Sequence, residues 1–317
     1  MEIKLKNIFF GVLLLTSIVL NVLFLHMIFI LDFSTQQPYI VQTNQDIDVN
    51  YYLISYADGK NVFFQNRNLL AASALNRGFD FIYNYRRANI DLDYIKQHPV
   101  LNEKYGAGYW LWKPYLLLKT LYSVPDGSIV LYADSSAVLR KPIRTYLNGL
   151  FTPNKDIVAF YYPGDPASRI VSRDIFKALQ CDTEACHSGY HAWAGLLAIR
   201  NSPQSRAFVQ NWLNACEQED LLQTGGQKNP NLPEYTHHQH DESILSVLVN
   251  RDSNKVNFVA IDQNYNAYIK LHRRKSNESL IAYMSDKNTE LEFVIQDIWP
   301  TNKLRTFMQP WTQDTAN

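Results

Sequence analysis

The stretch IVLYADSSAVL, Ile129–Leu139, decides how the rest of the chain is read. Five apolar or aromatic residues run unbroken into Asp134, two serines follow, and a second apolar run begins. A short continuous apolar run ending in polar residues is the pattern of a strand buried on both faces. A carboxylate at the tip of such a strand is costly unless it is paired or holds a cation. Two readings follow. Asp134 caps the next turn through Ser135 or Ser136, or it belongs to a functional site at the carboxyl end of a central strand.

Upstream of this strand, VPDG (Val124–Gly127) supplies turn chemistry. Before it, YLLLKTL reads as a helix with Pro114 suited to its first turn. Further back, YYLISYADG (Tyr51–Gly59) is a β-rich run ending in a turn. LLAASALNRG reads as a helix closed by Gly78 at its C-cap, and FDFIYNY (Phe79–Tyr85) as the next strand. Downstream, DIVAFYY and AGLLAIR are strands, and SPQSRAFVQNWLNAC is a helix with Ser202 as N-cap and Pro203 behind it. A long polar loop, Glu219 to Gln239, leads into the helix DESILSVLV and the strand VNFVAI. Strands alternating with helices predict an α/β domain around a mostly parallel sheet. Ligands of such sheets bind beyond the carboxyl ends of the strands, where Asp58 and Asp134 both fall.

The 317 residues, 46% apolar and 19% charged, suffice for one large α/β domain or two smaller ones. Thirty basic and thirty acidic residues cancel, which gives no steering toward nucleic acid. Aromatics reach 13%, with 20 Tyr and 6 Trp; such rings suit sugars and bases as well as cores. Ile8 to Leu31 carries no charged residue, and as a helix it is long enough to cross a hydrocarbon core of about 30 Å. Lys4 and Lys6 precede it, and no Lys or Arg follows before Lys60. The positive-inside rule then predicts a cytosolic tail over 1–7 and a signal anchor over 8–31, with the remainder across the membrane. The run exceeds a cleavable h-region of about 7–15 residues, so the anchor is expected to be retained. Residues 32–50 read as a polar stem, 51–300 as the folded domain and 301–317 as a tail. In an oxidising lumen Cys181 and Cys186 can close a small loop across CDTEAC, leaving Cys216 buried; three unpaired thiols is the alternative, and both stay open.

Three further segments carry chemistry. GYWLWKP (Gly108–Pro114) sets three aromatic rings beside Lys113. Its tryptophans are expected to wedge between helix and sheet, while Lys113 points toward the edge that holds Asp134. HHQHDESILSVL gathers His237, His238 and His240 beside Asp241 and Glu242, but the spacing matches no zinc pattern; a polar helix start with Asp241 near its N-cap is the plainer reading. IKLHRRK (Ile269–Lys275) gathers Lys270, His272, Arg273, Arg274 and Lys275, either as a solvated basic turn or as cations for an anionic ligand.

SYADG, GYWLWKP, LYADSS, AGLLAIRNSP and HQHDESILSVL occur here in an order that resembles the GT-A glycosyltransferases. The closer likeness is to a family of membrane-anchored or surface-polysaccharide glycosyltransferases with a GYWLWKP motif. The resemblance covers roughly Tyr51 to Lys275. It implies a GT-A fold, a nucleotide-diphosphate sugar as donor and a glycan or glycoconjugate as acceptor, with a hexose transferred. It implies metal ligands at Asp134, Ser136 and His272, for Mn²⁺ or Mg²⁺. Ser136 stands where the family's second acid usually does, which puts metal dependence in question. Donor contacts are implied at Tyr56, Asp58, Lys113, Arg273 and Arg274, and catalytic roles at Asp241 and Glu242, the latter replacing a glutamine. A Golgi-lumenal domain is expected in a eukaryote, and the bacterial inner membrane is the alternative. A non-catalytic carbohydrate-binding or scaffold protein on a degenerate transferase fold is the rival reading.

Overall fold

The computed structural model describes residues 39–42, 49–75 and 77–271. The expected anchor, most of the stem, the tail, and His272, Arg273 and Arg274 lie outside the described residues. Among those described, no helix is long and apolar enough to cross a membrane.

Among the described residues nine strands follow in chain order: β1 (Tyr39–Gln42), β2 (Tyr51–Tyr56), β3 (Phe81–Tyr85), β4 (Ile129–Ala133), β5 (Ala137–Leu139), β6 (Ile157–Pro166), β7 (Tyr190–Arg200), β8 (Val256–Ala260) and β9 (Ile269–Leu271). Seven of them form one sheet in the order β1-β3-β2-β4-β7-β6-β8, and β5 pairs with β9 apart from it. β2 runs parallel to both β3 and β4, as the alternation of strand and helix predicts. β6 and β8 are also parallel. β7 runs against β4 and β6, and β1 against β3, so the sheet is mixed overall. The reversal has a simple cause: the chain leaves β6 and enters β7 at the same end of the sheet, with no crossover back along its length.

The main helices are α1 (Asn61–Ala74), α2 (Trp112–Ser123), α3 (Arg144–Leu150), α4 (Arg173–Ala178), α5 (Pro203–Cys216) and α6 (Asp241–Arg251). They cover both faces, and the period-2 alternation of β2 shows how. Tyr52, Ile54 and Tyr56 pack with Leu116, Leu117, Trp212 and Val247 of α2, α5 and α6. Tyr51 and Leu53 pack with Leu70, Ala74 and Leu147 of α1 and α3. The result is a three-layer α/β/α arrangement.

Local signals mostly hold. Ser202 accepts from the Ser205 amide as the N-cap of α5, in a capping box with the Ser205 side chain. Gly78 does not close its helix: α1 ends at Ala74, with Leu75 as the cap. Its role is close approach, because at φ +103 an added Cβ would lie 3.0 Å from that of Arg144. The polar loop expected from Glu219 contains a short helix, Glu219–Gln223. Cys181 and Cys186 form a disulfide, and Cys216 is free and buried.

The GYWLWKP segment holds an unexpected feature. Gly106, Ala107, Gly108, Tyr109 and Trp110 all have positive φ, from 51° to 99°. The amides of Tyr109 and Trp110 donate to the carbonyls four residues back, at 2.9 and 3.2 Å. This is one turn of left-handed helix, which costs an L-residue about 1–2 kcal/mol each. Glycine relieves that cost at two positions only, leaving Ala107, Tyr109 and Trp110 strained.

Candidate active site

The site forms where β2 and β4 end and α6 begins. Asp134 follows β4 directly; its amide donates to the Gly195 carbonyl at 2.8 Å, and its own carbonyl accepts from the Ala137 amide at 3.0 Å. The turn is therefore closed by the backbone of Asp134, and not by its carboxylate reaching Ser135 or Ser136. The Asp134 side chain is 32% exposed, accepting from the Tyr132 hydroxyl and lying 3.8 Å from the Lys113 ammonium.

Lys113 is placed by its neighbour. Trp112 is buried, stacks on Tyr56 at 4.0 Å and donates its indole N–H to the Gly106 carbonyl at 2.9 Å. That fixes the first turn of α2 and sends Lys113 into the interior, only 3% exposed. Its Nζ lies 2.8 Å from Oδ2 of Asp241. Burial pushes the Asp241 carboxyl up to about 7; Lys113 opposes that rise, while Glu242 and Asp134 add to it. Burial likewise disfavours the Lys113 charge, but the surrounding carboxylates outweigh it and raise its pKa.

Trp110 departs from the wedge expected of it. It is half-buried at the edge of the core, with its ring stacked 5.6 Å from His240. His240 precedes α6 with φ 55° and ψ −121°, a conformation strained for a non-glycine residue.

Glu242 is held from two sides. Its Oε1 meets Nε2 of His191 at 2.8 Å, and its Oε2 accepts from the Ala194 amide at 3.0 Å. The other nitrogen of His191 meets Oδ2 of Asp165 at 2.8 Å, and Arg169 closes the chain on Oδ1 at 2.7 Å. Burial works against protonation of His191, but Glu242 and then Asp165 more than offset it and raise its pKa. Sequence reading missed this chain. The available signal was a lone histidine at the start of the apolar run AWAGLLAI.

The structure thus gathers Lys113, Asp134, Asp241 and Glu242. Tyr56 and Asp58 lie at the end of the neighbouring strand, where the Tyr56 hydroxyl donates to Asp58 at 3.1 Å and the Tyr56 ring belongs to the core. Ser136 is half-buried in the turn after Asp134. The histidine cluster is not gathered for zinc. His238 and His240 both meet the Leu222 carbonyl at 2.9 Å, and His237 bonds to Thr236 and Gln239. Burial lowers the His238 pKa to about 4.

The described residues do not build a divalent-cation site either. No group of three His, Cys, Asp or Glu side chains among them converges suitably. Asp134 and Asp241 both face an ammonium, and Ser136 adds only a neutral hydroxyl. The last described residue, Leu271, pairs with Ala137 next to Ser136; His272 follows it outside the described residues.

No family model and no curated protein matches the chain. Solved structures of low similarity do. The galactosyltransferase LgtC, in complex with donor and acceptor sugar analogues, is 14% identical over 76% of this chain and 94% of its own, with a TM-score of 0.40. Mouse xyloside xylosyltransferase 1 is 9% identical over 68% and 85%, with a TM-score of 0.38. Glucosyl-3-phosphoglycerate synthase of Mycobacterium tuberculosis, in complex with Mn²⁺, UDP and glucosyl-3-phosphoglycerate, is 12% identical over 79% and 80%, with a TM-score of 0.35. Likenesses of this degree add no argument to the geometry above.

Proposed function

We propose that the chain is a GT-A type glycosyltransferase that moves a hexose from a nucleotide-diphosphate sugar to a glycan or glycoconjugate acceptor. The carrying observation is Lys113, buried between Asp134 and Asp241 at the carboxyl edge of β4, where an α/β sheet binds its ligand. A buried aspartate with its pKa near neutrality, beside a specific charge partner, is a functional-site signature.

In this reading Asp134, the most accessible acid of the group, faces the donor, and Asp58 borders the nucleoside. Asp241, when ionised, accepts from donor-sugar hydroxyls. Glu242 has both oxygens engaged, so its role is a fixed negative charge that stabilises an oxocarbenium-like transition state. Arg273 and Arg274 are proposed to meet the diphosphate. Mn²⁺ or Mg²⁺ enters only if His272 completes a shell that the described residues lack.

The rival reading, a non-catalytic carbohydrate-binding protein, is favoured by one observation: the acid at β4 is met by an ammonium instead of a second carboxylate. Incubating the full chain in detergent with labelled nucleotide sugars separates the two. Donor turnover supports the transferase, whereas donor binding without turnover supports the rival. The proposal includes a single-pass anchor over 8–31, with the domain in the Golgi lumen or outside a bacterial inner membrane. The Cys181–Cys186 disulfide fits an oxidising compartment. Digestion of the domain by protease in intact vesicles would refute that placement.

A further inference from the structure

Five rings meet beside the acidic site, and the mechanism uses none of them. His240 lies 5.3 Å from Tyr105, 5.0 Å from Tyr109, 5.6 Å from Trp110 and 4.9 Å from His238, centroid to centroid. Tyr105 also packs at 5.4 Å on Tyr109 and edge-on at 5.3 Å to Trp110. Tyr105 is 59% exposed, while Tyr109, Trp110 and His240 are half-buried. The cluster therefore presents an aromatic wall to solvent, with its inner rings locked by packing.

Two strained segments build this wall from separate parts of the chain. One is the left-handed turn Gly106–Trp110, and the other is His240 with its φ of 55°. Unfavourable backbone at two converging points persists where the arrangement has a use. Both segments run directly into the site: Trp110 lies three residues before Lys113, and His240 immediately precedes Asp241. A core would bury Tyr105, and a simple cap for α6 would need one polar side chain, not four aromatic neighbours.

We infer that Tyr105, Tyr109, Trp110 and His240 form a sugar subsite that receives a pyranose ring of the acceptor glycan. The inference rests on the transferase reading only for the word acceptor. The chemistry of the wall selects the ligand class by itself. A pyranose offers an apolar face of axial C–H groups to an aromatic ring, and its equatorial hydroxyls reach the phenol and imidazole edges. The wall carries no formal charge apart from its histidines, and burial lowers the pKa of His240, which favours its neutral form. That suits a neutral sugar better than a phosphate.

Saturation-transfer NMR on the full chain in detergent tests this, with lactose and methyl β-D-glucopyranoside as probes and irradiation of the aromatic protons. The expected result is strong transfer to the axial ring protons of at least one probe. Tyr105→Ala should reduce it at least fivefold and Tyr105→Phe should preserve most of it. Tyr122→Ala, at a distant exposed tyrosine, should leave it intact. No transfer in the unmodified chain, or equal transfer in Tyr105→Ala, overturns the subsite. Donor turnover measured on the same preparations keeps the two ideas apart. Turnover with a Tyr105-independent signal sinks the subsite alone. A Tyr105-dependent signal in a chain that consumes no nucleotide sugar sinks the transferase and leaves a carbohydrate-binding wall.

Discussion

Lys113 and Asp241 form an ion pair at 2.8 Å with side chains only 3% and 4% exposed. Removing one partner of such a pair strands the other, at a cost of about 3–5 kcal/mol. Lys113→Met should therefore be strongly destabilising, because it leaves Asp241 and Asp134 facing each other without a cation. Asp241→Asn should cost less, since Lys113 keeps Asp134 at 3.8 Å. Urea unfolding midpoints of the two variants measure the difference. Equal midpoints would mean that Lys113 can swing to solvent.

The same pair sets a pH dependence. Burial raises Asp241 from 3.8 to about 7, so between those values the folded state holds a proton that the unfolded chain releases. Stability from this group is fully present below pH 3.8 and is lost as pH rises through about 7. Asp241→Asn should flatten that part of the stability curve. In the transferase reading the donor-binding form is the ionised one, so turnover should rise as pH passes through about 7, the folded-state value. An activity profile flat from pH 5.5 to 8.5 would contradict this role.

His191 should behave in part as a positioning residue for Glu242. Protonated, it donates to Glu242 and Asp165, and each charge-assisted bond is worth about 1.5–3 kcal/mol. Its raised pKa gives a stability contribution present below about 6.5 and lost as pH climbs through the folded value. His191→Ala should shift the alkaline limb of the turnover profile and lower kcat about tenfold or more. An unchanged limb with lower stability alone would assign His191 a purely structural role.

Asp134→Asn should abolish turnover while leaving the fold in place, because its backbone bonds to Gly195 and Ala137 do not need the charge. Losing the exposed carboxylate at the donor edge should cost at least a hundredfold in rate, or about 2.7 kcal/mol. Full activity in the asparagine variant would leave Asp134 with only its backbone role in the turn.

Much of this site was legible because it obeys local rules. IVLYA reads as a buried strand from its apolar run, and Asp134 follows at its end. Pro114 marks the first turn of α2, which places Lys113, and Ser202 marks the start of α5. Two kinds of feature were not legible. The antiparallel course of β7 depends on which end of the sheet the chain re-enters, and no local pattern in AGLLAIR records that. The Glu242–His191–Asp165 chain joins three separate segments, and a single buried histidine looks the same in sequence whether it bridges two acids or none. The left-handed turn was hidden for a different reason. Gly106 and Gly108 advertise positive φ, but Ala107, Tyr109 and Trp110 adopt it against their own preference, held by tertiary packing.

That turn makes a sharp distinction between two neighbouring glycines. At Gly108, with φ +99, an added Cβ would lie 2.6 Å from the Leu101 Cα and 3.0 Å from the Val100 carbonyl oxygen, both backbone atoms that cannot step aside. At Gly106, with φ +57, the Cβ would meet the Trp110 ring at 2.5 Å, so that a side chain must be pushed off its packing on Tyr105 and His240. Gly108→Ala should cost about 2–4 kcal/mol, combining left-handed strain with overpacking. Gly106→Ala should cost nearer 1–2 kcal/mol but tilt Trp110 off His240, because relief comes from moving the ring. Thermal unfolding gives the first comparison, and the near-ultraviolet dichroism of tryptophan gives the second. If Gly106→Ala leaves that spectrum and the pyranose signal unchanged, Trp110 is not locked by the turn and the strain serves some other end. If Gly108→Ala is neutral, the left-handed turn itself is wrong.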